Sequence, residues 1–259
     1  MVRRLLPAAL RGGGAGVKLF LLPPAGASAA TFRAWPGALE GDAEVVPVEL
    51  PGRGARIGEP PCDGLPALIR ELAEVHTPSQ GAWAVVGHSM GALLGAGWAA
   101  AATRAGRPPA FLVVSASAPP WLHSTAAELE GSDEELWQRV DALGGLPPAI
   151  RDNPLARRLF GRALTADVTA SARYRPSAPE PVGCPVVAVR GAADALVGAE
   201  LLAGWSGLTR ESGHPFRTVT LPGGHFYRAG VDDLIPLVRD LVAVHAPAER
   251  ARVNAPRGS

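Results

Sequence analysis

Residues 84–100 read AVVGHSMGALLGAGWAA: an apolar run, a serine set between two glycines, then a longer run of small apolar residues. The pentapeptide Gly87-His88-Ser89-Met90-Gly91 is short, and a chain with 31 glycines meets the pattern G-x-S-x-G easily by composition, so its flanks decide the reading. On the amino side, AWAVVG (82–87) has the length and character of a buried strand. On the carboxyl side, GALLGAGWAAAA (91–102) reads as a helix. A strand-to-helix turn this tight leaves no room for β-carbons at Gly87 and Gly91 and lifts the Ser89 hydroxyl above the strand end, as a nucleophile elbow does. Met90 opens the helix, so its backbone N–H points to the same place with the positive end of the helix dipole behind it. A serine that merely caps a buried helix is the alternative on the same residues.

The rest of the chain supplies a fold for that turn. Continuous apolar runs at Val17–Leu22, Val45–Leu50, Ala82–Gly87, Phe111–Ser115, Pro185–Arg190 and Phe216–Leu221 read as strands covered on both faces. Between them, residues 65–76, 91–106 and 232–246 show apolar spacing near the helical period. Such alternation predicts an α/β fold with a mostly parallel sheet flanked by helices. From Pro119 to Ala178 no strand is predicted. There, Ser132 and Glu135 form a capping box for a helix through Leu143, Asn153-Pro154 opens a second at PLARRLFGRAL, and ADVTASARY (166–174) reads as a third. Residues 119–178 are therefore expected to be a helical lid inserted in one domain of 259 residues.

A serine is a poor nucleophile at neutral pH and needs a base. Of six histidines, His225 lies in LPGGHFY directly after the last predicted strand, in a glycine loop at the carboxyl edge of the sheet. His76 and His245 fall on helices, His123 begins the lid, His214 precedes the last strand, and His88 is expected to pack or cap. The base needs an acid to hold its tautomer, and with the order Ser, acid, His the candidate that closely follows a strand is Asp194, in VVAVRGAADALV. Asp133, Glu134, Glu135 and Asp152 suit helix N-termini better, and Asp194 itself could be a solvated loop residue. A second oxyanion donor is expected from the loop after the first strand, PPAGAS (23–28), where the Ala25 N–H is the candidate and a simple turn is the competitor.

Composition bounds the partners. A net charge of +1 excludes a global field for nucleic acid or anionic membranes. The two cysteines, Cys62 and Cys184, match no metal spacing and make no disulfide framework; a reducing cytoplasm follows, with a single bridge left open. No run reaches the roughly 18 apolar residues needed to span a bilayer, and RGGG at 11–14 interrupts the N-terminal apolar stretch before it could act as a signal peptide. Residues 1–15 and 248–259 are expected to be flexible. No metal and no cofactor is expected.

Five separated motifs, FLLPPAGASAATFRAW, VELPGRGARIGEPP, VVGHSMGALL, LGGLPPAI and LPGGHFY, occur in that order. Together they resemble the type II (editing) thioesterases of polyketide and non-ribosomal peptide biosynthesis, over roughly residues 17–245. The resemblance implies the α/β-hydrolase fold, Ser89 as nucleophile, His225 as base, Asp194 as acid, and the Ala25 and Met90 amides as the oxyanion hole. It further implies hydrolysis of acyl groups from the phosphopantetheine arm of acyl or peptidyl carrier proteins, the cofactor belonging to the substrate; a monomer is expected. Pro24 and Ala27 depart from the P-H-A-G-G loop common in that family. Trp121, Leu136, Trp137, Leu146, Leu159 and Phe160 are candidates for an acyl chamber or for the lid's own core. Arg151, Arg157, Arg158 and Arg162 are candidates for an acidic carrier's contact or for a solvated face. A carboxylesterase, a chain-releasing cyclase and a non-catalytic carrier-binding protein are rival readings of the same motifs.

Overall fold

A computed structural model of the protein describes residues 16–122, 132–146 and 148–245. The ends expected to be flexible lie outside the described residues, as do His123 and the rest of 123–131 within the expected lid.

Six strands form one sheet: β1 Val17–Leu22, β2 Ala43–Pro47, β3 Trp83–His88, β4 Leu112–Ser115, β5 Val186–Gly191 and β6 Phe216–Leu221. Their spatial order is β2-β1-β3-β4-β5-β6 and every pairing is parallel. The arrangement is that of the α/β-hydrolase fold. Around it lie α1 Trp35–Ala38, α2 Leu65–Val75, α3 Met90–Arg104, α4 Asp133–Ala142, α5 Pro148–Arg151, α6 Pro154–Arg173, α7 Ala199–Ala203 and α8 Ile235–His245.

Strand alternation divides the core into two layers. Phe20, Leu22, Val85, Leu112 and Val114 face α2 and α3, where Trp98 meets the Phe20 ring edge-on at 5.0 Å. Leu19, Leu21, Val86, Val113 and Val189 face the opposite way, toward Trp35 and α8. Parallel strands buried on both faces have no polar side to show, which is why these runs are continuous and not alternating. Helix α3 is apolar almost all round because it is the most deeply covered helix, with Met90 through Ala96 all buried.

Most bounds fall within two residues of expectation, and three differences are larger. The second strand is Ala43–Pro47, not Val45–Leu50. Proline at 47 has no N–H to continue a ladder, and after one more bond, from Val48 N to Leu21 O, the chain leaves the sheet with Val48 and Leu50 buried. The pieces expected as separate helices at PLARRLFGRAL and ADVTASARY are a single helix of 20 residues, α6, because no breaker separates Leu164 from Asp167. The last helix begins at Ile235, after a 3-10 turn over Gly230–Leu234, since Pro236 fits only an opening turn. The expected caps are present: Ser132 and Glu135 form the capping box of α4, and the Asn153 carboxamide oxygen accepts from the Leu155 and Ala156 amides. Between Pro119 and Ala178 the described residues contain no strand.

Beneath the carboxyl edge runs a buried polar chain. His88, the last residue of β3, is wholly buried; its Nδ1 lies 2.8 Å from Ser115 Oγ, which lies 2.5 Å from Tyr227 Oη. Tyr227 takes a positive φ of 63°, a strained value for an aromatic residue that this bond helps to hold. Burial first, and then the neighbouring His225, push the His88 pKa well below the usual histidine value, against the pull of Asp194.

Two outcomes follow. Gly91→Ala would set a β-carbon 2.2 Å from the Leu22 carbonyl oxygen, and should lower the melting temperature by about 5 °C or more in a thermal scan. Lowered histidine pKa values at His88, His76 and His245 mean that the unfolded chain binds protons the folded one refuses, so stability falls as pH drops below about 6.5. Melting temperatures measured from pH 7.5 to 5 should show that fall, and His88→Asn, which does not titrate, should make it shallower.

Candidate active site

Ser89 sits at the junction of β3 and α3 with φ 54° and ψ −117°, a left-handed backbone held by its surroundings. Its own N–H donates to the Ser115 carbonyl at 2.7 Å, tying the turn to β4. A β-carbon on Gly87 would fall 2.1 Å from the Gly91 carbonyl oxygen, so both glycines of the pentapeptide are required by contact and not merely by flexibility. Met90 is the first residue of α3, where a backbone N–H is not spent on the helical ladder.

The acid and the base come from two other strand ends. Asp194 lies three residues beyond β5, and His225 four residues beyond β6. His225 Nε2 is 3.1 Å from Ser89 Oγ, and His225 Nδ1 is 3.0 Å from Asp194 Oδ2. The other carboxylate oxygen of Asp194 accepts from the Leu196 amide at 2.9 Å, which fixes the carboxylate's plane. Burial works to raise the Asp194 pKa, but the bond and charge of His225 and the Leu196 and Val197 amides outweigh it, and the group is held below its ordinary value. An ionised Asp194 keeps the proton on Nδ1, leaving Nε2 free to accept from Ser89. Nucleophile, base and orienting acid are thus in line at the carboxyl edge of the sheet, the place where open α/β sheets put their chemistry.

Beside the triad a cavity of about 770 Å³ opens between the first loop, the His225 loop and the inserted helices. Ala25 lines it from below, and Trp137, Leu146, Phe160 and Leu164 line it from the helices. Half of the side chains expected here are elsewhere. Leu136 is buried among the inserted helices, Leu159 is 47 % exposed, and Trp121 stands edge-on to Trp205 at 5.4 Å. Of the four arginines, Arg151 pairs with Asp141 and Arg157 with Glu134, the latter also lying over the Trp137 ring. Arg158 and Arg162 are exposed on α6.

Two residues that sequence reasoning left without a role stand close to the site. Arg53 and Asp167 are 1 % and 2 % exposed and face each other in a two-pronged ion pair, Arg53 Nη2 to Asp167 Oδ1 at 2.9 Å with Nη1 on Oδ2. The remaining guanidinium donors reach the Pro51 and Ala27 carbonyls. Asp167 Oδ2 also accepts from the Gly26 amide at 2.8 Å. The available signal was an aspartate on the apolar face of α6, between Leu164 and Val168, a position where a charge requires a partner. Among the described residues no group of histidine, cysteine, aspartate or glutamate could hold a metal ion, and no helix is long and apolar enough to cross a membrane.

Known proteins share this arrangement. The prodiginine-pathway thioesterase RedJ of Streptomyces coelicolor superposes with a TM-score of 0.79 at 32 % identity, over 91 % of each chain. The type II thioesterase BorB of the borrelidin cluster superposes with a TM-score of 0.76 at 29 % identity, over 95 % of this chain and 96 % of that one. The antimetabolite synthetase AmbE of Pseudomonas aeruginosa is 29 % identical over 236 residues, which are 89 % of this chain but only 11 % of that much longer protein. The Thioesterase domain description matches residues 17–242, and with a serine, a histidine and an aspartate in hydrogen-bonded series inside that span, the chain belongs to the thioesterase domain family of hydrolases.

Proposed function

We propose that this chain is an editing thioesterase that removes acyl groups from the phosphopantetheine arm of carrier proteins in a polyketide or non-ribosomal peptide pathway. The observation that carries the reading is His225 bridging Ser89 and Asp194 beside a lidded, mostly apolar cavity. The likeness to RedJ, from the prodiginine biosynthetic pathway, and to BorB, a type II thioesterase from the borrelidin cluster, supports it.

In this reading Ser89 Oγ attacks the thioester carbonyl carbon while its proton passes to His225 Nε2. The negative charge that develops on the carbonyl oxygen is received by the Met90 and Ala25 amides, two dipoles already oriented before the reaction begins. Collapse expels the thiol, whose pKa of about 8.5 makes it a good leaving group, so the imidazolium has a light task in this half-reaction. Water then attacks the acyl-serine with His225 as base, and the carboxylic acid leaves. Asp194, kept ionised by its donors, stabilises the imidazolium in both halves. The chemistry requires no metal and no cofactor of the protein's own. The inserted helices act as the lid, and Trp137, Leu146 and Phe160 receive the acyl chain.

The carrier would approach α6. Leu155, Arg158, Leu159 and Arg162 follow the i, i+3, i+4, i+7 spacing and are all exposed, giving one helix face that is apolar and basic together. An acidic carrier helix is complementary to it. The reading takes the chain as a cytoplasmic monomer, with Cys62 and Cys184 as free thiols.

Release of acetyl and propionyl groups from a phosphopantetheinylated carrier should be abolished by Ser89→Ala and fall about 10³- to 10⁴-fold in Asp194→Asn, with the fold intact by circular dichroism. No release by the wild type from any carrier, with the fold intact, would leave a binding protein or a chain-releasing cyclase as the better account, and product that cyclises in place of hydrolysing would favour the cyclase; undiminished release in Ser89→Ala would remove Ser89 as the nucleophile. Arg158→Glu with Arg162→Glu should raise KM for carrier-bound substrate about tenfold or more and leave small soluble thioesters unaffected. Equal losses on both substrates would remove α6 from the docking surface.

A further inference from the structure

The loop that offers the Ala25 amide, residues 23–28 between β1 and a 3-10 turn, has one backbone bond of its own, from the Ala27 N–H to the Pro24 carbonyl at 3.1 Å. Its other fixings come from distant parts of the chain. Glu49 accepts from the Ala29 amide at 3.1 Å. Arg53 reaches the Ala27 carbonyl. Asp167 accepts from the Gly26 amide, next in the chain to Ala25. Gly26 has φ +73°, and a β-carbon there would stand 2.9 Å from the Cβ of Leu164, so helix α6 lies directly upon the loop. Leu164 and Asp167 are three residues apart and share one face of that helix.

From these contacts we infer that the buried Arg53–Asp167 pair is a positioning device for catalysis: Asp167, oriented by the Arg53 guanidinium, holds the Gly26 amide and thereby sets the Ala25 N–H toward the reacting carbonyl only while α6 lies on the loop. The inference rests on the reading of Ala25 as an oxyanion donor. All five guanidinium N–H groups of Arg53 have acceptors, two of them on Asp167, so the carboxylate can neither rotate nor drift without stranding a buried charge. Movement of α6 away from the sheet therefore removes two things at once: the Gly26 acceptor and the Leu164 wall of the cavity. The lid and the oxyanion hole open and close as one unit.

A purely structural ion pair would make activity follow stability, and two variants separate the cases. In Arg53→Met/Asp167→Leu the pair is replaced by apolar side chains of similar size, which tends to preserve stability, while the Gly26 amide loses its acceptor. In Asp167→Asn the acceptor for Gly26 remains but Arg53 is left with an unpaired charge, which lowers stability. The probe is the acetyl thioester of N-acetylcysteamine, read as kcat and KM, with melting temperature and amide hydrogen exchange over residues 23–29 measured on the same samples. The double variant is expected to melt near the wild type, to exchange these amides at least about tenfold faster, and to lose about 100-fold in kcat with little change in KM. Asp167→Asn is expected to melt lower yet keep kcat within about threefold of the wild type below its melting transition. Should kcat follow melting temperature across both variants, or the double variant turn over like the wild type while Ser89→Ala is inert, the clamp is overturned and the thioesterase reading stands. Wild-type turnover in Ser89→Ala overturns both.

Discussion

Helix α3 approaches β1 so closely that the Leu22 carbonyl oxygen occupies the space where a β-carbon on Gly91 would be, and this contact governs where the rest of the site must be. It forces the turn at Ser89 into a left-handed backbone, which projects the hydroxyl beyond the sheet instead of along it. It also presses the start of α3 against the residues that follow β1, the loop on which Ala25 is carried. Nucleophile and first loop are therefore neighbours by backbone packing alone, before any side chain has made a bond. The remaining partners have only to arrive at the same edge, and parallel strands deliver them there because every one of them ends on the same side.

What arrives differs in rigidity. Ser89 and Asp194 follow the interior strands β3 and β5, His225 follows β6, which pairs with β5 at the edge, and the His88–Ser115–Tyr227 chain braces the His225 loop from below. The other half of the site is a cavity wall made by α4 to α6, which pack mainly on one another through Leu136, Trp137, Leu146, Leu164 and Val168. They are tied to the rest of the molecule by Ala170, packed in the main core, and by the buried ion pair and hydrogen bond of Asp167. Breaking one member of such a buried pair typically costs about 3–5 kcal/mol, whereas replacing both with apolar groups is often neutral. A polar fastener at that position gives a seam that holds in one geometry and fails in any other.

The sheet was legible because its signals are local. β1 and β6 have the bounds their apolar runs predict, the elbow is announced by Gly87 and Gly91, and strand position alone singled out Asp194 and His225 from the other acids and histidines. Edges were less legible: Pro47 ends β2 early because of a missing N–H, although the apolar run continues to Leu50. The inserted helices were legible as helices but not as a surface. Nothing in the spacing tells that Trp121 turns toward Trp205 and Leu159 toward solvent, since that depends on which neighbour each face meets. The Arg53–Asp167–Gly26 contact was invisible for the same reason in stronger form. Its partners are 114 and 141 residues apart in the chain, and a pairing over such distances leaves no mark on any single window of sequence.

The bond between His225 and Ser89 joins residues 136 positions apart, and β6, which delivers His225, is both the last strand among the described residues and the outermost at its end of the sheet. During synthesis the elbow, the first loop and most of the core can form while the base is still inside the ribosome. At roughly 5–20 residues per second, the interval between the appearance of residue 89 and that of residue 225 is about 7–27 seconds. For that time the nascent chain carries a serine that has no base, and hydrolytic competence waits for β6 and the loop that follows it.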